Sequence, residues 1–368
     1  MKIIIFGLSI TSSWGNGHAT TYRALCHALY RRGHRMVFFE RDQEWYRNNR
    51  DLADPQYCDV RIFDDWKQAV PMVRAELHGA DMAVVGSYFQ DGIAALDEVL
   101  DSRVAVKAFY DIDTPVTLGR LRESGATEYL LARCIPELDV YFSFTGGPIL
   151  KELEAGFGAV SAVPLYCSVD PEKHREPEAR RTFEWDLSYM GTYAPDRQPK
   201  LEALLCGPAR QLQQKRFIVA GPQYPASLAW PDNVKRVMHL SPRHHAGFYG
   251  SSRLTLNVTR REMVMAGYSP SVRLFEAAAC GTPIVSDNWP GLETFFTAGK
   301  EILLPGASED MLRYIADFDD AELWGIGRAA GERVLAAHTS DIRAAEFERA
   351  AETALHKPGT PAALAAQS

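Results

Sequence analysis

Short, continuous apolar runs alternate with amphipathic helical stretches along nearly the whole chain, and no other feature constrains the fold as much. The runs are residues 2–7, 36–40, 60–63, 82–86, 104–110, 140–144 and 162–166. A strand that is apolar on both faces belongs to a parallel sheet covered by helices on each side. Residues 187–190, 216–220, 234–238, 254–258, 283–286 and 301–304 repeat the pattern, again with helices between. Residues 170–184 between the two series lose the apolar period and become charged and proline-bearing, as an exposed linker does. The pattern predicts an α/β chain with a Rossmann-like domain over 1–168, a linker over 169–184, a second such domain over 185–330, a helical segment over 331–356 and a loose tail over 357–368.

A chain of 368 residues with 46% hydrophobic and 24% charged side chains has the length and apolar content for two cores. Its net charge of −7 gives no general attraction to nucleic acid or an anionic membrane, so any phosphate must be met by a local cluster of donors. The cysteines Cys26, Cys58, Cys134, Cys167, Cys206 and Cys280 stand singly, without metal-ligand spacing, and read as small buried hydrophobes of a reducing compartment. The apolar start at residues 3–7 is far shorter than a signal or membrane-spanning segment. The expectations are a cytoplasmic protein with no nucleic-acid partner, no stable membrane insertion and no bound metal.

Four clusters carry possible chemistry. The first loop holds Gly15, Asn16, Gly17 and His18 before a helix; glycine admits a ligand to the backbone, helix N–H groups favour an anion, and neutral imidazole accepts a proton. The histidine could equally cap or line the loop. Asp111 and Asp113 follow an apolar strand, where α/β sheets bind ligands, and as carboxylates at i and i+2 could hold a divalent metal or substrate hydroxyls, act as a base, or merely form a turn that starts a helix. Gly191 and Thr192 open the second domain, with Arg197 and Lys200 placed to give charge-assisted donors to a diphosphate. Finally, Ser271, Arg273 and Glu276 lie on a helix that turns apolar toward Cys280 and ends at Gly281. An inward glutamate there needs a partner, either a ribose diol or Arg273 itself.

Taken together, the segments DIDTPVTL (111–118), SFTGGPIL (143–150), SVDP (168–171), GTYAPDR (191–197), SVRLFEAAACGTP (271–283) and GLETFF (291–296) resemble glycosyltransferases of GT-B fold, more closely the group named after the spore-maturation protein CgeB. The resemblance implies two Rossmann-like domains facing a central cleft, with the C-terminal helix packing back toward the N-terminal domain. It implies a UDP-, dTDP- or GDP-linked sugar donor on the second domain, at Gly191, Thr192, Arg197, Lys200, Ser271, Arg273 and Glu276, with Glu276 on the ribose hydroxyls. Gly17 would add to the donor-binding residues, and the hydroxyl-bearing acceptor, a glycan, a lipid-linked or a small molecule, would lie near the catalytic candidates His18, Asp111 and Asp113. Transfer would be retaining and need no metal or other cofactor, although Tyr268 stands where retaining members carry the first glutamate of a Glu-x7-Glu pair. A sugar-nucleotide epimerase of the same fold and a nucleotide-binding module without catalysis are the alternatives.

Overall fold

The computed structural model describes residues 1–176 and 183–356. The chain forms two compact units, the first from Met1–Tyr166 with the chain from Ser340 onward, the second from Cys167–Thr339. Among the described residues no helix is long and apolar enough to cross a membrane.

The first unit is a parallel sheet of β1 (Lys2–Phe6), β2 (Arg35–Arg41), β3 (Asp59–Phe63), β4 (Met82–Gly86), β5 (Val106–Asp111), β6 (Val140–Ser143) and β7 (Ala162–Pro164), in the order β3-β2-β1-β4-β5-β6-β7. Ile3, Ile5, Phe38, Val84, Ala108 and Phe142 bury one face of it. The helix Ser340–Leu355 closes this core from the far end of the chain. Its Phe347 stacks on Phe142 with ring centroids 4.9 Å apart, while Glu348 takes His34 Nε2 at 2.5 Å and Asp341 takes Arg31 at 2.7 Å. The C-terminal helix thus packs on the N-terminal domain, as expected.

The second unit is a parallel sheet of β8 (Leu187–Met190), β9 (Phe217–Ala220), β10 (Val234–Val237), β11 (Thr255–Asn257) and β12 (Ile284–Ser286), in the order β10-β9-β8-β11-β12. In both units the chain leaves the first strand toward one edge and later jumps back to lay the fourth beside it. The crevices at the carboxyl ends of β1/β4 and β8/β11 are therefore the topological switch points, where open α/β sheets bind ligands.

Three differences from the sequence reading stand out. Residues 301–304 make isolated bridges, Val285 with Leu303 and Ala298 with Ile302, rather than a strand, because Pro305 follows and cannot extend the ladder. The stretch 331–356 is no separate segment: it spans the end of the helix Asp320–Ala337 in the second unit and the helix Ser340–Leu355 in the first. Of the expected linker, Cys167–Glu176 is folded into the second unit; its residues 177–182, like the tail 357–368, lie outside the described residues.

Candidate functional site

At the β1/β4 switch point, Asn16 caps the helix Gly17–Arg31, its side chain accepting from the His18 N–H at 2.9 Å. The His18 ring meets Tyr88 edge-on with centroids 5.4 Å apart. Tyr88 holds a left-handed φ of 63°, strain of the kind concentrated at functional sites. Burial lowers the His18 pKa, partly offset by Asp113, so the imidazole is neutral, and its Nδ1 is buried without a hydrogen-bond partner. The structure brings His18 and Asp113 within electrostatic reach of one another.

Asp111 differs. It is the last residue of β5, wholly buried, and its carboxylate accepts from Tyr141 Oη at 2.6 Å, Thr117 Oγ1 at 2.9 Å and the Asp113 N–H at 3.2 Å. Burial pushes its pKa up to about 7 despite these hydrogen bonds. It is an anchoring group rather than one open to substrate. Gly17 needs no glycine on steric grounds, since a Cβ there would meet nothing within 4 Å.

The β8/β11 switch point is spanned by one side chain. Arg273, in the second position of the helix Val272–Ala279, donates through Nη1 to the Met190 carbonyl at 3.0 Å and through Nη2 to the Val258 carbonyl at 3.2 Å. Its Nε points to Asn257 Oδ1 at 3.4 Å, and Ser271 Oγ donates to that same oxygen at 2.8 Å. Arg197 is 9% exposed, gives a short hydrogen bond to the Thr192 carbonyl and keeps a buried Nε without a partner. Burial lowers its pKa, and the like charge of Arg273 adds to the effect. Among the described residues neither guanidinium is in a salt bridge. Gly191 lies against Arg273: a Cβ there would fall 2.6 Å from Tyr189 Oη and 2.8 Å from Arg273 Nη1.

The expected basic pair is regrouped. Lys200 is drawn to Asp287 at 2.5 Å, whose other oxygen accepts from the Thr259 N–H at 3.0 Å and Oγ1 at 2.9 Å. Arg197 therefore has Arg273, not Lys200, as its cationic neighbour. Beside them a chain of edge-on aromatic contacts runs from Tyr193 to Tyr224, over whose ring Arg236 lies at 4.0 Å, and on to Trp230. Tyr268 has φ 47° after Gly267 at 69°, and its ring fills the space beside Gly291, where a Cβ would come within 2.5 Å.

Glu276 departs most from expectation. It is 2% exposed, and its partner is neither Arg273 nor open space. Oε1 lies 3.6 Å from His174 Nε2 and Oε2 lies 3.3 Å from His245 Nδ1. Burial alone would raise the carboxyl pKa, but His245 and His174 outweigh it and hold the group below its ordinary value. Burial disfavours the charged form of His245, yet Glu276 raises its pKa overall; His174 is lowered by burial. Sequence reasoning missed both histidines, since His174 sits in the charged stretch read as linker and His245 opens a six-residue helix, His245–Gly250, too short to give a periodic signal.

A family model described as glycosyl transferase-like matches residues 197–349. Comparison with curated proteins gives no match. Among solved structures, sucrose-phosphate synthase from Thermosynechococcus elongatus superposes with a TM-score of 0.69 at 12% identity, over 96% of this chain and 98% of that one. The Anabaena protein HepE in complex with UDP and glucose superposes with a TM-score of 0.70 at 13% identity, over 96% of this chain and 100% of that one. An alpha-glucosyltransferase in complex with UDP gives 0.65 at 13% identity, over 96% and 100%. The chain therefore has the two-domain GT-B fold of the glycosyltransferases it superposes on, and its residues 197–349 are similar to the glycosyl transferase-like family.

Proposed function

We propose that the protein transfers a sugar from a nucleoside diphosphate sugar to an acceptor hydroxyl, with retention, and that the diphosphate is held at the β8/β11 switch point. One observation carries the reading: two guanidinium groups, Arg197 and Arg273, are gathered at the carboxyl edge of a sheet with no salt-bridge partner among the described residues. Like charges held together in a poorly solvated place are stabilised by an anion, and a diphosphate offers two charged groups. As the sugar leaves, charge grows on the diphosphate oxygens, and donors already in position stabilise it without reorganising. Two arginines supply what a cation supplies in other transferases, so the step needs no metal on the diphosphate. The relatives solved with UDP point to the same donor class.

Glu276 is left out of this donor site, because a carboxylate enclosed by two imidazoles has no face turned to a ribose. The acceptor hydroxyl is assigned to the β1/β4 switch point, where neutral His18 with an unpartnered nitrogen, helped by Asp113, is suited to receive a hydrogen bond or a proton.

The test is incubation of the full chain with UDP-, dTDP- and GDP-sugars, with and without a panel of glycan, lipid-linked and small-molecule alcohols. Acceptor-dependent release of nucleoside diphosphate with a glycosylated product is the expected result. Epimerised sugar nucleotide without acceptor would replace transfer by epimerisation. Binding without turnover on any combination would leave a binding module.

A further inference from the structure

We propose that His174, His245 and Glu276 form a buried site for a divalent cation of the zinc class, separate from the diphosphate site. The donor atoms of the three side chains all lie within 4.8 Å of one another. Two of the separations are 3.6 Å (His174 Nε2 to Glu276 Oε1) and 3.3 Å (His245 Nδ1 to Glu276 Oε2). Ligand atoms around a tetrahedral zinc with bonds of about 2.0–2.2 Å stand roughly 3.3 Å apart, so a small inward movement completes the set.

Hydrogen bonding argues for the same occupant. His245 Nε2 lies 3.3 Å from the Leu240 carbonyl, which can only accept, so this nitrogen carries a hydrogen. In the neutral ring Nδ1 then presents a lone pair to a carboxylate oxygen, a contact relieved by a proton on Nδ1, which Glu276 favours by raising the His245 pKa, or by a cation that takes that proton's place. An imidazole that donates its far N–H to a backbone carbonyl and turns its near nitrogen inward is the arrangement of a metal-bound histidine. His174 is 4% exposed, and among the described residues neither of its ring nitrogens has a hydrogen-bond partner, nor does Glu276 Oε1. Buried groups left unpaired in this way are destabilising by about 1–3 kcal/mol each, and one cation would take His174 Nε2, His245 Nδ1 and Glu276 as ligands.

Two imidazoles and a single carboxylate select the metal. Magnesium and calcium prefer oxygen-rich sets, whereas nitrogen with one oxygen suits zinc. The ligands come from the start of the second unit, from the first residue of the helix His245–Gly250 before β11, and from the helix Val272–Ala279 after it. A cation there ties these segments together. This departs from the sequence expectation that no metal is bound, because the donors are too far apart in the chain to make a motif.

The full chain is stripped with a chelator, loaded with zinc, desalted and analysed for metal. The site predicts about one equivalent retained, a melting temperature raised by zinc, and an absorption-edge spectrum with only nitrogen and oxygen in the first shell. His174→Ala, His245→Ala and Glu276→Gln should each weaken zinc binding at least about tenfold, while the exposed neighbour variant His244→Ala should not. The spectrum needs only wild-type protein, so it decides even where a variant fails to fold. No retained zinc, sulfur in the first shell, or undiminished zinc in all three folded variants would overturn the site. Nucleoside diphosphate binding measured on the stripped protein fails or succeeds independently, so the two proposals are tested apart.

Discussion

Arg273 Nη1 donates to the carbonyl of Met190 at 3.0 Å while Nη2 of the same guanidinium reaches the carbonyl of Val258 at 3.2 Å, so one side chain bridges the carboxyl ends of two neighbouring strands at the switch point. Arg197 stands near enough for the two charges to repel. This arrangement satisfies the strand-end carbonyls and gathers positive charge at the switch point, where the diphosphate is proposed to bind.

Replacing Arg197 by alanine should lower affinity for a nucleoside diphosphate by about 10–100-fold, the worth of a hydrogen bond to a charged group. Lys200→Ala should have a much smaller effect, because its charge is already matched by Asp287. Titration calorimetry on both variants checks the order, with circular dichroism to confirm folding.

Arg273→Ala should be more damaging to the fold than Arg197→Ala. It strands the Met190 and Val258 carbonyls, and leaving a buried polar group unpaired is destabilising by about 1–3 kcal/mol. Urea unfolding of the two variants side by side gives the comparison.

Gly191→Ala should destabilise the second unit by about 1–3 kcal/mol and weaken nucleotide binding, since the new Cβ would fall 2.6 Å from Tyr189 Oη and 2.8 Å from Arg273 Nη1. Gly17→Ala meets nothing within 4 Å and should be nearly neutral in stability. Melting temperatures of the pair test whether the close approach belongs to the second unit alone.

Asp111 sets a pH dependence. Its pKa in the folded chain, about 7, lies above the ordinary 3.8, so the native state favours the protonated form. At pH below the ordinary value both states are protonated and nothing is lost. As pH rises toward 7 the unfolded chain ionises and the folded one does not, so stability falls by up to about 1.4 kcal/mol per pH unit and then levels off. Asp111→Asn should remove this slope. Unfolding free energies of both proteins between pH 5 and pH 8 measure it, and parallel curves would mean that Asp111 is ionised throughout.

Much of this was legible in the sequence, and what was not has a common cause. Runs such as 82–86 and 216–220 announce a parallel sheet because both faces are buried, and the glycine after β8 stands at the sheet's carboxyl edge by its place in the chain. Pairings made across long stretches of sequence leave no local trace. Lys200 looks like a partner for Arg197 until Asp287 is brought to it, and His174 looks like linker until it is folded against Glu276. Residues 301–304 show the opposite limit, where an apolar run suited to a strand makes only bridges because proline ends it.

The central claim is that the anion-binding pair Arg197 and Arg273 recognises a diphosphate, and calorimetric titration of the wild-type chain with UDP, UMP and uridine tests it most directly. The expected result is affinity falling in that order, with the advantage of UDP over uridine largely lost in Arg197→Ala. Uridine binding as tightly as UDP, or UDP binding equally well to Arg197→Ala, would contradict it.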